Sequence, residues 1–542
     1  MTARWLARAE GTTSVERHGR RVVVVGGGIT GLASAALLAK DGHEVTVLEK
    51  LPDVGGRAGS WEHEGFRFDL GPSWYLMPEV FDHFFRLMGT SSDEQLDLVE
   101  LDPGYRVVFE RGGTIDVPRG LEAVAAEFDR VEPGSGDRLR RYLRSARDTY
   151  DIAKERFLYT SFEAYGPLLR GDVVVRMPKL ARLLLQPLDS FAGRIVEEPR
   201  LRQILGYPAV FLGSSPFATP SMYHLMSTLD LDDGVLYPQG GLTTVIRSIA
   251  DVARGAGVEI VTDATVTAIE TEPLTAEGRG APAATATGVR WTDASGAEHL
   301  LTADVVVSAA DLHHTETALL PAELRTHDER HWERRDPGPS AVLLYLGVEG
   351  EVPELEHHTL LFADDWHENF ERIYGDVKRI PDPPSLYVCK PSTVDPSTAP
   401  EGHTNLFVLV PLPADPALGR GGLDGDGDPL VERIADQVID QISAWAGVPD
   451  LAERVVVRRT RGPRDFVDDY NSWSGSMLGP AHTLSQSAMF RDGNVSPKVE
   501  GLLFAGGSVR PGIGLPMCLI SAEVLVKNLR GDTSTEPLAE PA

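Results

Sequence analysis

Residues 21–49 constrain the fold of this 542-residue chain more than any other stretch. Val22–Val25 is an unbroken β-branched run, the pattern of a strand buried on both faces. Gly26-Gly27-Gly28-Ile29-Thr30-Gly31 follows without a gap. Leu32 to Lys40 is rich in Ala and Leu and predicts a helix, which Asp41-Gly42-His43 ends. Glu44–Leu48 predicts a second strand, closed by Glu49. Strand, glycine turn, helix, strand and acid in this order form a dinucleotide-binding βαβ unit. Gly26 permits the tight turn, Gly28 admits a pyrophosphate against the backbone, and Gly31 lets helix and strand approach. The first helical residues, Ile29 and Thr30, would offer free N–H groups to phosphate. Glu49, followed by Lys50, would accept ribose hydroxyls. The chain is therefore expected to be α/β.

The remaining α/β texture is scattered. Leu242–Ala256 predicts a helix; Gly257–Val261, Thr265–Glu270, Gly288–Thr292 and Ala303–Val307 predict strands. Leu502–Ala505 predicts a late strand and Ser521–Leu529 a last helix. One Rossmann-like domain assembled from discontinuous segments is the simplest reading. The expected order begins with a flexible tail (1–20), a first nucleotide-domain segment (21–110) and a helical lid and substrate region (111–240). A second nucleotide-domain segment (241–320) precedes a substrate domain (321–480) with strands such as Ala341–Val348 and Asn405–Val410. A third nucleotide-domain segment (481–530) and a disordered tail (531–542) complete the chain. Thr271–Thr285 and Pro413–Asp428 are expected as surface loops.

Charge narrows the partners. The chain carries 52 Lys+Arg against 80 Asp+Glu, a net −28, which excludes a uniformly basic nucleic-acid binder. Cys389 and Cys518 are far apart, form no CxxC, and suit a reducing cytoplasm as small buried residues. No run of 18 apolar residues predicts a membrane span. Residues 164–196 differ locally: Arg170, Arg176, Lys179, Arg182 and Arg194 stand against Asp172 and Asp189, beside Val173–Val175, Met177, Leu180 and Leu183–Leu185. This basic amphipathic composition predicts a helix lying on a membrane surface; a helix packed on the core with snorkelling arginines is the alternative. No metal site is expected. His327 and His331 lack the Glu of a His-Glu-x-x-His zinc motif and are read as belonging to a charged, exposed helix.

Further motifs carry a resemblance. Val54-Gly55-Gly56-Arg57 follows the acid at the spacing seen in flavoproteins of the amine oxidase and carotenoid desaturase superfamily. Phe66-Arg67-Phe68-Asp69-Leu70-Gly71-Pro72-Ser73-Trp74-Tyr75, Gly213-Ser214-Ser215-Pro216-Phe217 and Tyr237-Pro238-Gln239-Gly240-Gly241 resemble blocks of bacterial and fungal phytoene desaturases. Ala505–Pro516 resembles their carboxy-terminal flavin signature, with Ser508 and Val509 where Thr-His is common and Leu515 for a frequent Ile. The similarity runs from about residue 20 to about residue 530. It implies FAD held by Gly26, Gly28, Ile29, Thr30, Gly31, Glu49, Lys50, Gly55, Gly56, Arg57, Gly71, Pro72, Ser73, Val266, Gly506, Gly507, Gly512, Ile513 and Gly514. Trp74 and Tyr75 are implied beside the substrate.

The implied reaction is stepwise dehydrogenation of the C40 polyene 15-cis-phytoene towards lycopene, by hydride transfer to the flavin. A quinone or oxygen would reoxidise the flavin. The resemblance also implies a cytoplasmic enzyme held peripherally on the membrane, because a hydrocarbon is bound by apolar burial alone and must enter from lipid. No catalytic base is visible in the sequence. An isomerase, ketolase or oxygenase of the same scaffold is the neighbouring alternative. An amine oxidase and a non-enzymatic prenyl-binding escort protein are more distant ones.

Overall fold

The computed structural model describes residues 19–162, 179–275 and 281–541. The nucleotide domain comprises β1 (Arg21–Val25), α1 (Ile29–Lys40), β2 (Glu44–Leu48), α2 (Leu242–Gly255), β3 (Glu259–Val261), β4 (Val305–Ser308), β5 (Leu502–Phe504) and α3 (Leu515–Arg530). The five strands form one parallel sheet in the order β5-β4-β1-β2-β3. The β-branched run explains the centre of that sheet. Val22 and Val24 pack against the helices on one face, where α1 lies against both α2 and α3. Val23 and Val25 pack against Val266, Ile269 and Val289 on the other. Strands covered on both faces need no polar alternation.

The second large element is a seven-stranded mixed sheet: Val455–Arg461, Ser340–Glu349, His403–Leu412, Leu386–Cys389, His358–Phe362, Tyr105–Phe109 and Thr114–Val117. This corrects the division at residue 110. Tyr105–Phe109 belongs to this sheet, parallel to His358–Phe362, so the first nucleotide segment ends before it. Among the described residues the region 111–240 is mainly helical, with two short strands: Thr114–Val117 closes the same sheet and Leu236–Pro238 pairs with Leu98–Glu100. The expected loop over 271–285 is strand at its two ends, where Thr265–Pro273 pairs antiparallel with Ala284–Thr292; residues 276–280 lie outside the described residues.

The two termini differ. Residues 1–18 lie outside the described residues. Gly19 and Arg20 are already ordered by the α1–β2 connection, Gly19 N–H donating to Gly42 O (3.1 Å) and Glu44 N–H to Arg20 O (3.0 Å). Residues 531–541 are not disordered. The fully buried Lys527 ammonium donates to Tyr159 O (2.8 Å), Ser534 O (2.8 Å) and Glu536 O (2.7 Å). A buried ammonium must fill its donors, and the carbonyls after α3 do so.

His83 fastens the same segment, 3.2 Å from Glu523 and 2.9 Å from Glu540. Burial lowers the His83 pKa, but the two carboxylates outweigh it and leave it raised. A histidine raised on folding contributes stability below its unfolded pKa and loses that contribution as pH climbs through the folded value. Proteolytic clipping of residues 531–541 is therefore expected to increase between about pH 6 and pH 9. The change is worth about 0.5–1 kcal/mol, and His83→Ala should clip readily at both pH values. Equal clipping of the unaltered protein at both pH values would contradict this.

Candidate functional site

The glycine turn opens on a cavity of about 700 Å³. Gly31 does not line it; a Cβ there would lie 1.9 Å from Gly26 O, so this glycine sets the contact between β1 and α1. Gly28 is different. A Cβ on Gly28 would meet no protein atom within 4 Å, and the residue faces the cavity. The backbone there is bare towards open space, as a pyrophosphate requires. α1 starts at this glycine without a side-chain cap, which leaves its first N–H groups and the positive end of its dipole for an anion.

Glu49 stands at the next strand end. Its Oε2 accepts Gly27 N–H (2.5 Å) and its Oε1 accepts Leu51 N–H (2.8 Å). Burial raises its pKa above the usual carboxylate range, opposed by those two N–H donors. Both oxygens keep lone pairs for ribose hydroxyls. Lys50 lines the cavity and donates to Asp468 O (2.5 Å). The Gly55–Gly56 turn is clipped to the glycine loop by Gly55 N–H to Gly27 O (2.9 Å). Arg57 follows, held by Ser472 Oγ at 2.8 Å and lying over the Tyr470 ring. Its buried Nε has no protein partner, a donor left over on a side chain that lines the cavity.

Gly71, Pro72, Ser73 and Val266 join the same lining, as do Ile29, Thr30, Gly506, Gly507, Ile513 and Gly514. Gly512 does not; it has φ +144°, and a Cβ would meet His482 Nε2 at 2.2 Å. Like Gly31, it shapes the wall from behind. Trp74 faces the cavity and stacks on His358 at 4.2 Å. Tyr75 does not. It is 1% exposed, stacked on Phe81 at 4.4 Å, and the expectation that it contacts substrate is corrected: adjacent residues of an extended segment point to opposite sides.

Parts of two motif blocks are scaffold. Asp69 accepts Leu242 N–H (2.8 Å) and Thr243 N–H (3.2 Å), capping α2, while Asp395 accepts Gly240 N–H (2.7 Å). Burial pushes Asp69 up to about 6 against those N–H bonds. Sequence reading missed Arg491, which is 2% exposed. Its guanidinium donates to the carbonyls of Val509 (3.1 Å), Gln486 (3.1 Å), Pro480 (3.2 Å) and Gly507. It braces the late glycine segment from inside.

Cys389 is buried, whereas Cys518 is half-buried, packing against the core on one side and lining the cavity on the other. His327 and His331 are not on an exposed face either: their rings stack at 3.8 Å, with Asp492 3.4 and 3.7 Å away and Arg335 on the same carboxylate.

The profile of the flavin containing amine oxidoreductases matches residues 29–524. A carotenoid 3,4-desaturase of Haloarcula japonica is 41% identical over 505 residues, covering 93% of this chain and 97% of the relative. A zeta-carotene-forming phytoene desaturase of Myxococcus xanthus is 34% identical over 519 residues, covering 95% of each. The chain belongs to the carotenoid desaturase family. A phytoene desaturase of Fusarium fujikuroi is 31% identical over 533 residues, with 95% and 90% covered. The fold is shared with a putative protoporphyrinogen oxidase from Exiguobacterium sp. 255-15, at TM-score 0.56 and 16% identity with 96% and 100% covered. The cofactor of this carotenoid desaturase is FAD: the bare Gly28 backbone, the doubly anchored Glu49 and the orphaned Arg57 donor all fit it.

Proposed function

We propose that this desaturase oxidises a long carotenoid polyene. FAD, when bound, supplies the acceptor for a hydride from the chain. The observation that carries the reading is the continuation of the cavity. Beyond the glycine cradle its walls are apolar and aromatic: Phe157, Leu158, Leu180, Leu184, Phe211, Phe370 and Ile373. A hydrocarbon offers no polar handle, so each methylene must be held by burial, at about 0.8 kcal/mol. Trp74 contributes to the surface on which a polyene would lie.

The proposed reaction is dehydrogenation of 15-cis-phytoene towards lycopene. Resemblance to the Haloarcula protein supports a second reading, 3,4-desaturation of an already coloured carotenoid. Expression in cells supplied with phytoene or with lycopene, followed by pigment chromatography, separates them. Conversion of phytoene supports the first; conversion of lycopene with phytoene untouched supports the second. No new pigment from either overturns the desaturase reading.

We further propose a peripheral place on a membrane, with a lipid-facing entrance. The expected patch at 164–196 lies partly outside the described residues. Among those described, Leu484 and Phe490 line the cavity yet are 42% and 57% exposed, and Leu185, beside the cavity-lining Leu184, is 80% exposed. Apolar side chains in water around a cavity support an approach from lipid. Among the described residues no helix is long and apolar enough to cross a membrane.

A further inference from the structure

One polar stretch of the cavity wall surrounds Trp74. Tyr207 lines the cavity, 6.3 Å from Trp74 between ring centroids, and donates its hydroxyl to Asp230 Oδ2 at 3.0 Å. Tyr105 donates to the same oxygen at 2.9 Å. Asp230 Oδ1 is buried and has no hydrogen-bond partner. Among the described residues no cation pairs with this carboxylate. Arg147 is taken by Asp232 and Asp233, Tyr142 turns its hydroxyl to Ser227, and His224 is held by Ser221 O and Ser145 Oγ. A buried carboxylate whose side-chain partners are two phenols, one of them a cavity-lining residue, is unused by any contact that holds FAD.

A second polar chain lies nearby. The Tyr387 hydroxyl meets Ser73 Oγ at 2.8 Å and His358 Nδ1 at 2.6 Å. Burial holds the His358 pKa well below its ordinary value, which makes that imidazole a poor proton acceptor. Burial acts the opposite way on Asp230, raising it to about 7 against the pull of the two phenols. A group of that strength is suited to accept a proton near neutrality.

We propose that Asp230, acting through the Tyr207 hydroxyl, accepts the proton lost in desaturation; the inference rests on the desaturase reading above. Two hydrogens leave adjacent carbons. One departs with its electron pair to the bound flavin. The other departs as a proton, and the electron pair of its C–H bond becomes the new π bond. The Tyr207 oxygen takes that proton as its own passes to Asp230 Oδ2. The carboxylate ends neutral and the tyrosine unchanged. Asp230 is the positioning and storage residue; Tyr207 is the one that would touch substrate.

The test uses the FAD-loaded enzyme mixed anaerobically with carotenoid in liposomes, following flavin bleaching against pH. The unaltered protein should bleach faster as pH rises through about 7, where Asp230 becomes ionised. Asp230→Asn should slow bleaching by about 100-fold or more and lose that rise, and Asp230→Glu should restore some of it. Tyr207→Phe keeps the ring and should slow bleaching similarly. An independent readout needs no turnover: the infrared band of a protonated carboxyl should titrate near the same pH in the unaltered protein, vanish in Asp230→Asn and shift in Tyr207→Phe. A merely structural role would lower folded yield but leave the pH rise in the fraction that folds. Folded, flavin-loaded variants that bleach within about threefold of the unaltered protein would overturn the proposal. If Asp230→Asn does not fold, Tyr207→Phe decides by the same criterion. An unaltered protein that bleaches with no carotenoid sinks the desaturase reading itself, and this proposal with it.

Discussion

Gly31→Ala is expected to yield a protein that neither holds FAD nor folds well. The added methyl would sit 1.9 Å from Gly26 O and 3.1 Å from Gly26 C. These are backbone atoms of the turn itself, so no side-chain rotation relieves the overlap. α1 cannot retreat either, because α2 and α3 both pack on it. Overpacking of this kind costs about 3 kcal/mol and displaces the N–H groups that face phosphate. Gly28→Ala is the matched control, since its methyl meets no protein atom within 4 Å. That variant should unfold at the temperature of the unaltered apoprotein while its flavin affinity drops about 10- to 100-fold, roughly 1.4–2.7 kcal/mol. Thermal unfolding and the flavin-to-protein absorbance ratio measure both. Equal behaviour of the two variants would contradict the division between a packing glycine and a cofactor glycine.

Arg491→Met carries the second large effect. The guanidinium is buried and fills four backbone carbonyls drawn from 480–486 and 507–509. Burial lowers its pKa to about 10, so it stays charged at neutral pH. Removing it relieves a desolvated charge but strands four buried acceptors, at about 1–3 kcal/mol each. The net loss should be roughly 3–5 kcal/mol. It should fall on the late glycine segment, with FAD lost before the rest of the domain melts. Arg491→Lys should be intermediate, because one ammonium cannot reach carbonyls arranged for a planar fork. A methionine variant with normal flavin content and unfolding temperature would refute the bracing role.

The βαβ unit was legible because its signals are local: a β-branched run, glycines at fixed offsets and an acid at the strand end. The scattering of the domain over three stretches was legible for the same reason. What escaped was settled by distance along the chain. Tyr105–Phe109 reads as a strand, but nothing in it says that its partner is His358–Phe362. Trp74 and Tyr75 are equivalent in sequence, and only the facing surfaces decide which ring meets the cavity. Asp230 is one of three nearby aspartates; one of its hydrogen-bond partners, Tyr105, is 125 positions away. Arg491 looks like any surface arginine until its carbonyl partners close around it. The carboxy-terminal stretch has the composition of a tail, and its order comes from the unmet donors of Lys527.

The parallel sheet has a consequence for how the chain is made. β1 is translated nearly three hundred residues before its neighbour β4, and nearly five hundred before β5 and α3. During synthesis α1 emerges with its apolar faces ready but without α3 to cover them. The nucleotide sheet therefore cannot be completed while the seven-stranded sheet is being produced, and its nascent βαβ unit keeps an uncovered apolar face until then. A stalled or prematurely terminated chain would be a sticky fragment rather than a half-active enzyme.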